Sequence, residues 1–120
     1  MPIVGARFVT GATTMPPLGF LVELEALPGK AAAVADFLAE AKKLVDDEPG
    51  TLAWFAFQRG PTSFGIFDVF GSAADREAHL HGEVRKALEA RGPELFSAQP
   101  VISPVDVLAT KLPDSLQLPT

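Results

Sequence analysis

The chain has no cysteine, no tyrosine and no asparagine among its 120 residues. Absence of cysteine excludes disulfides, thiolate metal sites and cysteine nucleophiles together, and it contradicts neither redox compartment. Positive charge is also scarce. Ten Lys and Arg stand against fifteen Asp and Glu, the formal net charge is −5, and no basic run is longer than Lys42-Lys43. Such a chain has little with which to neutralise a phosphate backbone or an anionic bilayer, so neither nucleic acid nor membrane is expected as a partner. Nowhere do about eighteen apolar residues run together, and the N-terminus lacks a basic segment followed by a long apolar one. A soluble, cytoplasmic protein is the expectation.

What the chain does have is apolar surface. At 48% hydrophobic residues with a mean hydropathy of +0.23, a single domain of this length has more than one small core needs, and the excess suggests a subunit interface. Residues 1–17 show no helical periodicity and carry Gly5, Gly11, Pro16 and Pro17. They read as an N-terminal arm that could cross onto a second subunit. Residues 18–113 read as the folded domain and 114–120 as a polar tail.

Within the domain, Leu18 to Ala26 alternates, with Phe20, Val22, Leu24 and Ala26 on one face and Glu23 and Glu25 on the other, as a first strand does. After the Pro28-Gly29 turn, Val34, Phe37, Leu38, Ala41, Leu44 and Val45 follow the spacing of an amphipathic helix, which Pro49-Gly50 stops. Thr51 to Arg59 and Thr62 to Phe70 hold the only tryptophan and five of the nine phenylalanines. Joined through Gly60-Pro61, they read as an antiparallel hairpin. Ser72 with Asp75 three residues on has the pattern of a helix start. That helix should run from Ala73, with a kink or break at Gly82, to Gly92-Pro93. Val101 to Ala109 completes the set as a last strand, with Pro104 marking an edge position or an irregularity.

Strand, helix, strand, strand, helix, strand is the order of the ferredoxin-like α+β fold, a four-stranded antiparallel sheet with its helices on one side. Both faces of the hairpin are apolar: Trp54 and Ala56 on one side of its first strand with Phe55 and Phe57 on the other, and Phe64, Ile66 and Phe70 on one side of its second strand with Phe67 and Val69 on the other. Helices cover one face, and the simplest cover for the second is the sheet of another copy.

Candidate functional residues cluster in the same block. Trp54, Phe64, Ile66 and Phe70 could line a pocket for a planar apolar molecule, although such a stripe also serves as plain core; hairpin register decides whether Trp54 and Phe64 share a face. Asp68 and Asp106 are acids in apolar strands, each needing a partner or acting as a tuned base. Arg59 and Arg7 are the candidate partners. His79 and His81 are the only imidazoles, and a helical wheel sets His81 nearer the Leu80, Val84, Leu88 stripe. Two histidines two residues apart on a helix diverge, so no metal pair is expected. No serine has a triad context and no glycine run cradles phosphate.

Pro49 to Leu88, PGTLAWFAFQRGPTSFGIFDVFGSAADREAHLHGEVRKAL, followed by VDVLATKLP at Val105 to Pro113, resembles the antibiotic biosynthesis monooxygenase family of dimeric α+β barrels. The resemblance implies a ferredoxin-like homodimer that oxidises an electron-rich aromatic or quinol-type substrate with molecular oxygen, without flavin or metal. It favours His79 over His81 as the catalytic histidine; Asp68, whose strand leads into the histidine helix, is the second catalytic candidate on the sequence itself, and His81 stands among the candidate substrate contacts. Haem-degrading relatives use an asparagine, a tryptophan at the end of the third strand and a histidine on the second helix. This chain has no asparagine, has Phe70 where the tryptophan would fall, and matches only at His79. Two other readings stay open: a non-catalytic small-molecule-binding dimer, and an isomerase or decarboxylase using His79 as acid or base.

Overall fold

The computed structural model describes residues 18–113; the expected arm and tail lie outside the described residues. Four strands form one antiparallel sheet: β1 (Leu18–Glu25), β2 (Thr51–Gln58), β3 (Ser63–Phe70) and β4 (Val101–Asp106), in the order β2-β3-β1-β4. Three helices, α1 (Ala31–Val45), α2 (Ala73–Leu80) and α3 (Glu83–Leu95), pack on one side. The fold is ferredoxin-like, with its second helix in two pieces. Among the described residues no helix is long and apolar enough to cross a membrane.

Alternation places the strands as expected. Leu18, Phe20, Val22 and Leu24 of β1 lie opposite Phe70, Asp68, Ile66 and Phe64 of β3, and all eight are buried beneath the helices. Trp54 and Gln58 of β2 lie opposite Asp68 and Phe64, so Trp54 and Phe64 share the helix face. On the other face the described residues bury Val69 but leave Phe55 and Val101 more than half exposed, with Phe57 beside them. α1 buries Val34, Phe37, Leu38, Ala41 and Val45, whereas Leu44, expected on that stripe, is exposed. Gly29 takes a φ of +79° in the turn before α1, which a side chain would resist.

Local signals placed the second helix well. The Ser72 side chain accepts a hydrogen bond from the Asp75 backbone N–H, a cap worth about 1 kcal/mol. The helix then breaks: α2 ends at Leu80, and α3 starts after Gly82. It also runs past its expected end at Gly92-Pro93 to Leu95. Tertiary docking accounts for this, because Leu95 and Phe96 are buried, Phe96 packs edge-on to Phe37, and Leu27 N–H donates to the Leu95 carbonyl. The last strand is shorter than expected, ending at Asp106 rather than Ala109. It is an edge strand, and Pro104 sits there as edge prolines do.

Candidate active site

Three side chains from three elements meet at one end of the sheet. Asp68 comes from the centre of β3, on the helix face, and is 1% exposed. His79 comes from the last turn of α2 and turns inward against Phe70, with ring centroids 4.9 Å apart. Glu48 comes from the turn after α1. Its Oε1 lies 2.5 Å from His79 Nδ1, while Asp68 Oδ2 lies 3.1 Å from Nε2 on the other side of the ring. The second distance is an ion-pair contact without good hydrogen-bond alignment, and neither Asp68 oxygen has an aligned donor among the described residues.

A β-bulge sets up the Glu48 side. Between Thr51 and Ala53 the register with β3 shifts, so Thr51, not Leu52, stands opposite Phe70. This re-aims one side chain, as bulges do beside sites. The Thr51 hydroxyl then donates to Glu48 Oε1 at 2.7 Å, and the Thr51 N–H to the Glu48 carbonyl at 3.2 Å. Glu48 is thereby held where His79 reaches it.

Burial is the largest single influence on the His79 imidazole and pushes its pKa down, but the close carboxylates of Asp68 and Glu48 together outweigh it, so the net shift is up from 6.5. The folded chain thus holds this proton more tightly than the unfolded chain does. The stabilisation is complete below pH 6.5 and is lost as pH rises through the raised folded value. Urea melts of the wild-type protein and of His79→Gln, run from about pH 5.5 to about pH 8.5, should show the wild-type advantage shrinking toward the alkaline end. An advantage constant across that range would contradict a charged His79.

Two spaces flank the cluster. One is an open groove of about 670 Å³ between α1 and β2, walled by Leu38, Trp54 and Phe64 and reaching Glu48 and Thr51. The other is a small cavity of about 20 Å³ between the sheet and the α2–α3 joint, walled by Phe20, Ile66, Val84 and Leu88 and touching Asp68 and His79. Glu48 therefore meets the groove while Asp68 meets the cavity, with His79 between them.

Of the residues expected at a site, Asp68 and His79 come together as neighbours, and Ile66 shares their cavity. Trp54 and Phe64 line the groove instead, and the Trp54 Nε1 is buried without a partner among the described residues. Phe70 is fully buried core behind the imidazole. His81 stands apart: its side chain is 73% exposed and its nearest carboxylate, Glu77, is 3.8 Å away. The wheel that favoured it ran on through Gly82, and the break there resets the phase. Asp106 is exposed at the end of β4. The partner of Asp68 is His79, not Arg59, which lies at the hairpin turn beside Glu25; Arg7 is outside the described residues. Glu25 is tied down by the Thr62 and Ser63 hydroxyls, which with Arg59 hold its carboxyl below the usual range.

Glu48 was not a candidate from sequence. The only signal was an acid directly before the Pro-Gly stop, 31 positions from His79. Because Glu48 and Asp68 lie on opposite sides of one ring, they cannot share a metal ion with it. Nor does the cluster fit a haem, since both His79 nitrogens face carboxylates and the ring lies against Phe70.

Comparisons with known proteins agree with this architecture. A protein of unknown function from Nitrosomonas europaea is 50% identical, with a TM-score of 0.79, the match covering 82% of this chain and 96% of that one. A Pseudomonas aeruginosa structure is 21% identical with a TM-score of 0.70, covering 82% of this chain and all of that one. A Mycobacterium tuberculosis structure is 14% identical with a TM-score of 0.69, covering 78% and 97%. The last two likenesses show the fold alone. No curated protein matches the chain significantly. The model of the family described as antibiotic biosynthesis monooxygenase matches residues 17–91, a span that includes Glu48, Asp68 and His79 and more than half of the sequence, and the chain belongs to that family.

Proposed function

We propose that the protein is a cofactor-independent monooxygenase acting on a small electron-rich aromatic or quinol-type substrate. The observation that carries this is the run from part-exposed Glu48 through His79 to the buried Asp68, whose inner end is set among apolar walls. A phenolic or enolic substrate must lose a proton before it can give an electron to dioxygen. Two carboxylates flank one imidazole, so the cluster has more acceptors than the His79 proton occupies. The imidazolium also supplies a fixed positive charge for the oxyanion so formed, where little water can screen it. Electron transfer to dioxygen, recombination at carbon and loss of water then turn a CH₂ into a carbonyl. One oxygen atom ends in the carbonyl and the other in water. Every electron comes from the substrate, so the reaction as written needs neither flavin nor metal.

A homodimer belongs to the same proposal. The apolar side chains that the described residues leave open on that sheet face, Phe55 and Val101 at 54% and 55% exposure, support a second copy as its cover.

The test is oxygen uptake and substrate loss with a panel of polyphenols, quinols and enolisable ketones, using protein purified in chelator. His79→Gln should lower oxygen-dependent turnover by about 10²–10⁴-fold. Turnover no higher than in that variant would sink the proposal. Binding without turnover would point to a carrier, and turnover indifferent to oxygen to an isomerase or decarboxylase.

A further inference from the structure

Asp68 is the one buried charged side chain among the described residues, and neither carboxylate oxygen has an aligned donor. Buried acceptors are nearly always satisfied, and an unsatisfied carboxylate is the costliest kind to leave so. The small cavity lies directly against it, and its volume of about 20 Å³ is that of one hydroxyl group or one water. Apart from Asp68 and His79 its only polar neighbour among the described residues is Arg85, whose Nε is tied to Glu89 at 3.2 Å. The remaining walls are apolar.

We propose that this cavity is a hydroxyl subsite: an uncharged alcohol, phenol or enol on an otherwise apolar ligand donates its O–H to Asp68 and is bound in its protonated form. An ether or a plain ketone brings no donor and leaves the carboxylate unsatisfied. An anion brings like charge against an acid that water cannot reach. The body of the ligand needs more room than the cavity now has, and α2 is the wall with least to hold it, since none of its residues is fully buried and Gly82 joins it to α3. Once bound, the substrate O–H bond breaks toward an Asp68 oxygen, the electron pair stays on the substrate oxygen, and the His79 imidazolium lies beside the new anion. The inference rests on the proposed function only in taking the sheet–helix space as the ligand side; recognition itself needs no oxygen.

The experiment is anaerobic calorimetric titration with a naphthol, its methyl ether and the corresponding naphthoate. The naphthol should bind at least about ten-fold more tightly than either of the others, the scale of a hydrogen bond to a charged group. In Asp68→Asn the preference over the ether should fall to about three-fold or less, because the charge-assisted part is gone. Should that variant fold poorly, the wild-type protein still decides: with only two histidines, the His79 ring resonances are assignable, and they should move with the naphthol and stay in place with the ether. Equal affinity for naphthol and ether, no binding of any of the three, or a bound naphthol that leaves His79 unperturbed would overturn the subsite. Selective naphthol binding without oxygen uptake would defeat the monooxygenase proposal alone, and oxygen uptake without the selectivity would defeat the subsite alone.

Discussion

Replacing His79 with leucine should destabilise the fold by about 3–5 kcal/mol, the usual cost of removing one partner from a buried pair. The reason lies on the Asp68 side. With 1% exposure and no aligned donor, that carboxylate has the imidazole, 3.1 Å away, as its only compensation among the described residues. Leucine would leave a bare charge in the core. The double substitution Asp68→Leu with His79→Leu should therefore be more stable than His79→Leu alone, since replacing a buried pair by apolar groups is often neutral. Denaturant midpoints over the four-protein cycle measure this. If the double variant loses the sum of the two single losses, the residues are not coupled. Glu48 should behave differently. Its side chain is 22% exposed, so it can turn to water when His79 is gone, and Glu48→Gln should cost no more than about 1 kcal/mol.

Gly19→Ala should be damaging on a similar scale, about 3 kcal/mol or more, as overpacking with no route of relief is. A Cβ at this position would overlap the carbonyl oxygen of Asp68 and stand 3.3 Å from Val105 Cγ2. β1 is paired on both sides, to β3 and to β4, so it cannot retreat from one neighbour without pressing on the other. The strain should reach the site, because the atom struck belongs to Asp68. A fall in the His79 pKa by NMR titration would report it apart from stability. Gly29→Ala makes the control: despite its φ of +79°, an added Cβ there meets nothing within 4 Å. Its cost should stay near about 1 kcal/mol, and a Gly19→Ala loss no larger than that would refute the argument.

The two predictions also mark what sequence could reveal. Alternation exposed the faces of β1 and the hairpin because burial repeats every second residue, and Ser72 with Asp75 exposed the start of α2 because a cap is a contact within one turn. Asp68 and His79 were visible as an acid in an apolar strand and one of two imidazoles. That they face each other was not, since Arg59 was an equally good partner by charge alone. Glu48 stayed hidden because three long-range facts deliver it: the turn after α1, the bulge at Leu52 and the Thr51 hydroxyl. His81 gained favour from a helical phase that Gly82 interrupts. The extension of α3 through Pro93 was hidden for a like reason, as Leu95 and Phe96 are pulled inward by contacts with Leu27 and Phe37.

The break at Gly82 separates chemistry from frame as well as helix from helix. Among the described residues every buried apolar side chain belongs to the sheet or Ala26 at its end, to α1, or to the stretch from Val84 onward, and none to α2. His79 and Leu80 apart, the residues of this short helix can therefore be exchanged with little effect on the core, while the frame beneath them cannot. A scaffold divided in this way can exchange its chemistry one short cassette at a time.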